Sequence, residues 1–473
     1  MDIPSDLRVN ILENVTPFAK KMGYNDDQIQ DFGIFLESIE AIMEKADPMD
    51  WDRNEVHLKD GNVVLPGNFE ALLKELVVEN ELYSWFIPEK LGGYGYTNVF
   101  VSGVMQLLSY IDISFGIMTG ISLTVMEPLV RKPTGLMENI VENFARGKNI
   151  GFVGFSEPQA GSNLQNVKSK SVLDGNDYIL EGTKIWISNG GYANAGLLLT
   201  TNEVDGKADG TNVFIVENPK ELVCERLEEK MGLHASPTAQ LHFENLRVPK
   251  EALVGRPGNG YRGVLERLMS MRIAVSMQGA ASMYRARDLA SQYAETRQQF
   301  GQPIGQFPAI KYKIDQMNVQ VPRMLKFAYT AAYALDRFNK GWIPADVGAA
   351  GPSAEEQAAS LLPGIAMRGL AHYFASSSKT YNAEIAQDMA YDATQIFGGN
   401  GFVAENEINK ILRDIRVLSI YEGTSEIHDW IISRSMAAVE MIPTLKPLAA
   451  SYDDKTLYEK MLYLRFPRME NKI

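Results

Sequence analysis

The pattern of apolar, β-branched and turn residues changes twice along the chain, and these two changes limit the folds that it can adopt. Between residues 151 and 255, short runs rich in β-branched and aromatic residues alternate with turn residues, as in SVL-DGN-DYIL and NVFIVE. In the preceding block, segments such as 6–22 and 26–45 carry apolar residues at three- and four-residue steps. The pattern predicts a multidomain α+β protein with a helical domain over 1–150, a compact sheet or barrel over 151–255, and a helical domain over 256–473.

The C-terminal block predicts long helices. Segment 265–300 contains no proline and one glycine, which suits a helix of the length found in bundles. Segment 383–397 places its apolar residues along one helical face. Segment 339–363 is rich in glycine, proline and alanine, so we expect it to be a loop inserted between helices.

Composition excludes several classes of function. The chain has 473 residues, enough for two to four domains, and a net charge of −13 without a long basic tract, which argues against nucleic acid as a partner. The single cysteine, Cys224, excludes an internal disulfide framework, and the five histidines show no ligand spacing, so we expect no metal site. The N-terminus lacks a targeting pattern, and no run approaches the apolar length of a membrane helix. We expect a soluble protein without a membrane span, cytoplasmic if bacterial.

A glycine pattern at the start of the last block imitates a dinucleotide-binding turn. Residues 258–263 read G-N-G-Y-R-G, which fits G-x-G-x-x-G. The segment follows Gly-Arg-Pro instead of an apolar strand, and no acidic residue about 20 positions downstream could hold a ribose. A flexible junction between the sheet and the helices explains these glycines better.

The stretch 419–427, SIYEGTSEI, isolates the carboxylate of Glu422 behind an apolar pair and ahead of a glycine and two hydroxyls. One interpretation is structural: a helix begins at Thr424 or Ser425, and a carboxylate just ahead favours the positive end of that helix. The other is catalytic, because an apolar setting raises the pKa of a carboxyl group and strengthens it as a base.

Four further stretches decide between these interpretations. With SIYEGTSEI and IPEKLGGYGY upstream, they resemble the acyl-CoA dehydrogenase family of flavoproteins in sequence and in order along the chain. The resemblance covers roughly residues 30–442 and leaves a piece near 57–66, segment 339–363 and the tail 443–473 unmatched. The four stretches are FSEPQAGSN (155–163), GTKIWISNGG (182–191), RQQFG (297–301) and QIFGGNG (395–401).

The resemblance implies an N-terminal helical domain, a middle β-barrel and a C-terminal four-helix bundle, with FAD bound where they meet. A neighbouring subunit would complete the FAD site in a homotetramer or dimer. The substrate would be an acyl-CoA, and the electrons would pass to an electron-transfer flavoprotein. By matching position, the residues expected to bind FAD are Phe155, Ser156, Ser162, Trp186, Ser188, Arg297, Phe300, Gln395, Gly398, Gly399, Thr424 and Glu426.

The residue types suit these roles. An isoalloxazine ring has a flat apolar face and a polar edge, so Trp186 and Ser188, two positions apart on one strand, would share a sheet face and serve both. Glycines allow the backbone to approach a diphosphate or ribose closely. The forked donors of Arg297 would neutralise the phosphates.

The family also implies a role for Glu422. The glutamate of Y-E-G-T takes a proton from the carbon alpha to a CoA thioester, hydride leaves for the flavin, and the product is a trans-2-enoyl-CoA. We expect Ile420, Tyr421 and the acyl chain to desolvate the carboxylate, and its backbone N–H and a ribityl hydroxyl of FAD to hold the thioester oxygen. Some relatives carry the base before an arginine on an earlier helix, but Met271 stands there.

Substrate contacts are implied for Ser162, Arg272, Tyr421 and Gly423, while other positions depart from the family. Asn163 replaces a common aspartate, and Met269 replaces a frequent acidic CoA contact. Pro308 replaces a glutamine that contacts FAD in relatives. The length and branching of the acyl group therefore stay open.

Two alternatives also stay open. One is an enoyl-CoA reductase or an acyl-CoA oxidase that uses the same site. The other is a non-catalytic flavin-binding protein, which would have no need for a carboxylate at position 422.

Overall fold

A computed structural model describes residues 3–131, 133–340 and 354–440. The first part is helical, as the sequence predicts. Helix α2 shows why its start is sharp: the Asn25 side chain accepts a hydrogen bond from the Gln28 N–H, and the Gln28 side chain accepts one from the Asn25 N–H. The helices are α1 (Leu7–Met22), α2 (Asp26–Met43), α3 (Pro48–Arg53), α4 (Phe69–Lys74), α5 (Asn98–Ile111), α6 (Ile113–Leu129) and α7 (Gly135–Ala145).

A short hairpin interrupts these helices. Strands β1 (His57–Lys59) and β2 (Asn62–Val64) pair antiparallel in the segment near 57–66 that the family resemblance leaves unmatched. The backbone N–H of Val56 donates to the carbonyl of His234, 2.9 Å away, which attaches the base of the hairpin to the middle part of the chain.

The middle part is a seven-stranded sheet that begins at residue 151, close to the position where the sequence texture changes. Its hydrogen-bonded order is β3-β6-β4-β5-β9-β8, and β7 pairs with β6 outside this order. Strand β6 pairs parallel with β3 and β4, whereas the remaining pairs are antiparallel. The strands are β3 (Gly151–Gly154), β4 (Lys170–Asp174), β5 (Asp177–Ser188), β6 (Ala195–Val204), β7 (Lys207–Glu217), β8 (Leu222–Leu227) and β9 (Thr238–Pro249).

The C-terminal part is a bundle of long helices. Helix α10 packs against α8, α9 and α13, and α8 also packs against α5 and α6 of the N-terminal part. A continuous core of buried apolar side chains runs through all three parts. The remaining elements are α8 (Gly260–Thr296), β10 (Gln298–Gln299), β11 (Gln302–Pro303), α9 (Pro308–Lys340), α10 (Ala354–Phe397), α11 (Gly399–Phe402), α12 (Glu407–Asp414) and α13 (Ser425–Glu440).

Two element predictions in this part need correction. The helix expected over 265–300 ends at Thr296, and the residues that follow form the β10–β11 hairpin, because Phe300 and Gly301 adopt left-handed backbone angles. The loop expected over 339–363 overlaps helix at both ends, since α9 continues to Lys340 and α10 begins at Ala354. Residues 341–353 of that loop and the tail 443–473 lie outside the described residues.

An interdomain ion cluster joins the three parts. The buried ammonium of Lys410 lies 2.6 Å from an Asp112 carboxylate oxygen and 2.5 Å from an Asp414 oxygen. Asp414 also accepts a hydrogen bond from the Leu233 N–H at 2.6 Å. A second group pairs a carboxylate of α3 with side chains of α12 and the loop before β9. The members of the cluster are Asp52, Asp112, His234, Lys410, Arg413 and Asp414.

Candidate active site

Glu422 lies in the turn that joins the bundle's last 3₁₀ segment, Ile415–Ser419, to α13. Its backbone φ is 56°, in the left-handed region that non-glycine residues rarely occupy, and Gly423 follows with φ 100°. A Cβ atom on Gly423 would lie 3.1 Å from Nε2 of the buried His428. Strained backbone of this kind is concentrated at functional sites, where the surrounding packing maintains it.

Two buried cations face Glu422 from two other helices. Arg272, on α8, and Lys379, on α10, both influence the titration of Glu422. The Lys379 ammonium donates a hydrogen bond to the Gly423 carbonyl at 2.6 Å. Within the described parts of the chain, neither cation forms an ion pair with Glu422 shorter than 4 Å. We refer to Glu422, Arg272 and Lys379 as the Glu422 cluster.

Burial perturbs every group in the Glu422 cluster. It raises the pKa of Glu422 to about 7, although the charges of Arg272 and Lys379 act in the opposite direction. Burial lowers the pKa of Lys379 to about 8 and that of Arg272 to about 10, and the Glu422 carboxylate opposes both changes. A carboxyl group with a pKa near neutrality can take up and release a proton at physiological pH.

His428 is not a competing base. Its ring is fully buried, and burial together with the charges of Arg272 and Lys379 lowers its pKa to about 2. The imidazole is therefore neutral at physiological pH. Its role in the structure is to pack against Gly423.

Neighbouring side chains fix the two ends of the Glu422 turn. The Tyr421 hydroxyl donates a short hydrogen bond to the Gln278 side chain, and the Ser425 hydroxyl donates to Glu384 at 2.5 Å. The Ile427 N–H donates to the Thr424 hydroxyl at 3.5 Å, at the start of α13. The structural interpretation of SIYEGTSEI is thus confirmed where it places a helix start at Ser425, and the catalytic one is compatible with it.

Ile420 corrects one detail of the sequence analysis. Its side chain was expected to help desolvate Glu422, but it is 50% exposed. Tyr421, the other residue expected to desolvate Glu422, is partly buried and packs against the core. Glu426, one of the residues assigned to FAD, is exposed on the first turn of α13.

The two motifs of the middle sheet lie side by side. The Ile185 N–H donates to the Ser156 carbonyl at 3.0 Å, which places Ser156 next to Trp186. Beneath them, the buried ammonium of Lys184 contacts Glu157 at 2.6 Å and the Leu199 carbonyl at 2.5 Å. Sequence reasoning missed this ion pair, although a lysine in the middle of an apolar strand is a signal that it needs a buried partner.

Trp186 differs from the expectation of regular strand alternation. The β5–β9 register shifts between Lys184 and Ile187, and Trp186 itself has φ 58°. This bulge leaves the indole 62% exposed, while Ser188 is half-buried. The alternation that was expected to place both side chains on one face is therefore interrupted, and the bulge presents the large aromatic group at the surface.

The first motif has one buried and one exposed end. Phe155 is 6% exposed and belongs to the core, whereas Ser162 is exposed on the turn that follows. Glu157 orders this turn by accepting hydrogen bonds from the N–H groups of Lys168 at 2.6 Å and Ser169 at 3.0 Å.

The remaining two motifs meet at the opposite end of the bundle. Tyr293, near the end of α8, stacks on Phe397 with ring centroids 4.2 Å apart, and its hydroxyl accepts a hydrogen bond from Asn400. Phe300, at the tip of the β10–β11 hairpin, is 93% exposed with φ 51°. The other predicted FAD residues in these two motifs are also exposed: Arg297, Gln395, Gly398 and Gly399.

This end of the bundle is far from Glu422. Arg272 and Thr296 are 24 residues apart on α8, which is about 36 Å along the helix axis. The structure therefore places the predicted site residues in three groups within one chain. One group surrounds Glu422, one lies on the middle sheet around Ser156 and Trp186, and one surrounds the β10–β11 hairpin.

Two kinds of feature are absent from the residues that the structure describes. No group of three or more histidine, cysteine, aspartate or glutamate side chains among them could hold a metal ion. None of the helices in the described ranges combines the length and apolarity required to cross a bilayer.

The site and fold together define a class of protein. The family model for the acyl-CoA dehydrogenase middle domain matches residues 153–246, and the model for the C-terminal domain of the same family matches residues 258–437. The chain belongs to the acyl-CoA dehydrogenase family. It is an oxidoreductase with the family's fold of N-terminal helices, a curled middle sheet and C-terminal helices, which confirms the fold and enzyme class expected from the sequence.

Individual relatives are moderately similar. A protein described as a probable acyl-CoA dehydrogenase from Mycobacterium bovis is 27% identical, over 74% of this chain and 83% of its own length. The mitochondrial short-chain specific acyl-CoA dehydrogenase of Bos taurus is 29% identical, over 77% and 82% respectively. A solved acyl-CoA dehydrogenase of Bacillus anthracis, complexed with FAD, has a TM-score of 0.69 at 26% identity and covers 93% of this chain and 68% of its own.

Proposed function

We propose that this protein uses FAD to oxidise an acyl-CoA thioester to the corresponding 2-enoyl-CoA, with Glu422 as the base. The observation that carries the proposal is the setting of Glu422 in the turn before α13. The residue has a left-handed backbone, two buried cations close by without a direct ion pair, and a pKa of about 7. A carboxylate with only structural duties would be paired as fully as the members of the interdomain ion cluster.

The Glu422 carboxylate removes the proton from the carbon alpha to the thioester. An ordinary exposed glutamate, with a pKa near 4.3, would be too weak a base for this step. Burial strengthens the base, while Arg272 and Lys379 keep enough of it ionised near pH 7. After the transfer, the neutral Glu422 carboxyl holds the proton until product leaves.

The backbone at Glu422 can also stabilise the substrate. Its N–H group donates no hydrogen bond within the part of the chain that the structure describes, so it is available for the thioester oxygen. A donor that faces an oxygen on which charge develops contributes about 3 kcal/mol to catalysis. The left-handed backbone at Glu422 thus provides the base and this donor from one residue.

The guanidinium of Arg272 is suited to binding a ligand. Its guanidinium is 2% exposed, its Nε has no hydrogen-bond partner, and no carboxylate within 4 Å pairs with it in the described ranges. A buried, unpaired guanidinium is costly unless a ligand supplies the missing acceptor. We assign Arg272 to the CoA thioester arm, with Ser162, Tyr421 and Gly423 as further substrate contacts.

The middle sheet fits a flavin. The exposed indole of Trp186 offers a flat apolar surface beside Ser156, and Ser188 supplies a hydroxyl on the same strand. A Cβ at Gly161, Gly398 or Gly399 would meet nothing within 4 Å, so these backbones are open to a large ligand. When bound, FAD would supply the acceptor for the hydride that leaves the beta carbon. The residues that would hold it are Phe155, Ser156, Ser162, Trp186, Ser188, Arg297, Phe300, Gln395, Gly398, Gly399, Thr424 and Glu426.

The separation of the hairpin from the Glu422 turn supports an oligomer. Arg297 comes directly after α8, about 36 Å along the helix axis from Arg272. The hairpin of one chain is therefore poorly placed to contribute to the site around Glu422 of the same chain. In a homodimer or tetramer, the exposed Phe300 and Arg297 would complete the FAD site of a neighbouring subunit. We further propose an electron-transfer flavoprotein as electron acceptor, and we retain 1–150, 151–255 and 256–473 as domain boundaries.

Anaerobic reduction of the purified yellow protein tests the proposal. We expect at least one member of a panel of straight-chain, branched and dicarboxylic acyl-CoAs to bleach the flavin within seconds. Rapid reoxidation of the bleached enzyme in air would favour an acyl-CoA oxidase over a dehydrogenase. A protein that is purified without colour and does not bind added FAD would contradict the proposal.

A further inference from the structure

We propose that Lys379 is a positioning residue that fixes the Glu422 turn through the Gly423 carbonyl and keeps the base ionised at neutral pH. This inference rests on the proposed function of Glu422 as base, and it adds a residue that none of the recognised motifs contains. Lys379 is the only Asp, Glu, Lys or Arg between positions 369 and 383, which is the sequence signal that could have identified it.

The hydrogen bonding of Lys379 is unusual for a buried ammonium. The side chain is 0% exposed, and the Gly423 carbonyl, 2.6 Å away, is its one hydrogen-bond acceptor among the described residues. Burying a charge with so few partners is unfavourable. By contrast, Lys410 in the interdomain ion cluster has two carboxylates within 2.6 Å. A lysine needed only for packing could be replaced by an apolar residue at lower cost.

The contact acts on the residue next to the base. Lys379 holds the Gly423 carbonyl from one side, and His428 packs against the Gly423 Cα from another. Because Glu422 has the unfavourable φ of 56°, the turn would relax if this anchor were removed. A displacement of about 1 Å in a reacting group can lower the rate by about 10²-fold.

The positive charge of Lys379 also supports the base, because it favours the ionised form of Glu422. The charged or titratable groups that face Lys379 and Glu422 are Arg272 on α8, Glu384 on α10, Glu426 and His428 on α13, and Tyr421 in the turn itself. Of these side chains, Arg272 is the one other cation, since burial keeps His428 neutral. Removing the Lys379 charge therefore leaves Arg272 alone to support the Glu422 carboxylate, and the pKa of Glu422 rises.

Two variants separate position from charge. Lys379→Met removes both the donor and the charge at similar length, whereas Lys379→Gln removes the charge but retains an N–H donor. Thr380→Val is the matched control, because Thr380 is a buried neighbour on α10 whose hydroxyl has no partner. For each variant, the anaerobic bleaching rate of the FAD-loaded enzyme is measured from pH 5.5 to 9.

We expect the acidic limb of the rate profile to move to higher pH by about one pH unit in both lysine variants. The plateau at high pH should fall about 10²-fold in Lys379→Met and less in Lys379→Gln. Thr380→Val should match the unmodified enzyme in both respects. If Lys379→Met does not retain FAD, the shift of the acidic limb in Lys379→Gln decides the matter.

Three results would overturn the inference. They are an unchanged profile in Lys379→Gln, a uniform loss of rate without a shift in the limb, and an equal shift in Thr380→Val. Failure of the proposed function looks different, because Glu422→Gln would then bleach at the unmodified rate whatever the lysine variants show.

Discussion

Two groups of charges that involve the C-terminal part of the chain are satisfied in different ways. In the interdomain ion cluster, Lys410 contacts two carboxylates at 2.5 and 2.6 Å, and Asp414 also accepts a backbone hydrogen bond. In the Glu422 cluster, a carboxylate and two cations lie close together without an ion pair shorter than 4 Å within the described ranges. In the first arrangement the cation has two carboxylate partners, and in the second the Arg272 Nε has no hydrogen-bond partner among the described residues.

The difference separates structural charges from functional ones. A fully paired cluster orders the helices around it, and the loss of one member leaves the others uncompensated. An incompletely paired cluster has groups that a ligand can satisfy, which is the usual condition of an active site. Both clusters contain strongly buried groups, so burial alone does not distinguish them.

The largest expected effect is the loss of bleaching in Glu422→Gln. The change removes the base while it retains size and polarity, so the bleaching rate should fall by about 10²- to 10⁴-fold, as for removal of a general base. Because folding raises the pKa of Glu422 to about 7, above its unfolded value, burial disfavours the charged form. The neutral amide should therefore leave stability at pH 8 equal or higher, as thermal unfolding of the FAD-loaded protein would show.

Lys410→Met should have the opposite effect, a loss of stability with little change in the bleaching rate. It leaves two buried carboxylates without their cation, which destabilises a protein by about 3–5 kcal/mol. We expect this loss in urea denaturation, while the bleaching rate per bound FAD stays within a factor of about two. A slower rate together with unchanged stability would show that the two clusters are not separate in function.

Gly423→Ala tests the turn itself at intermediate magnitude. A side chain at φ 100° costs about 1–3 kcal/mol, and the new Cβ would also press on His428 from 3.1 Å. Gly206→Ala is the matched control, because Gly206 has φ 71° but open space around it. Both variants should lose stability in urea denaturation, and only Gly423→Ala should slow bleaching.

The smallest effect concerns pH. Asp52 raises the pKa of His234, so the pairing contributes stability below pH 6.5 that is lost as pH rises through the raised value. The pKa of Asp52 is lowered by His234 and Arg413 in spite of burial, so its own contribution is lost only as pH falls below about 3.8. His234→Gln should therefore cost about 1 kcal/mol or less at pH 6, and still less at pH 8. Urea denaturation at both pH values checks this, with the exposed His57→Gln as control.

The sequence predicted the architecture well because its signals were local. The strand runs of 151–255 and the apolar steps of the helices do not depend on distant residues, and the helix start at Ser425 follows from its capping residues. The element prediction that was wrong also has a physical cause. The helix expected to reach 300 ends at Thr296, because a left-handed turn at Phe300 overrides a favourable helical composition.

The sequence motifs of the candidate site could be predicted, but the residues that hold these motifs in place could not. Glu422 and Arg272 lie in recognisable stretches, whereas Lys379 and His428 are brought to them by packing between helices. The Lys184 and Glu157 pair joins two motifs that are 27 residues apart. Sequence patterns along one segment carry little information about such contacts, because the partner is set by the fold and not by spacing.

The most direct test of the account is the pH dependence of anaerobic flavin bleaching by an acyl-CoA substrate in the unmodified enzyme and in Glu422→Gln. We predict a rate that rises through a pKa near 7 in the unmodified enzyme and a residual rate without that rise in the variant. A variant that bleaches as fast as the unmodified enzyme, or an unmodified profile that is flat between pH 5.5 and 8.5, would contradict the assignment of Glu422 as the base.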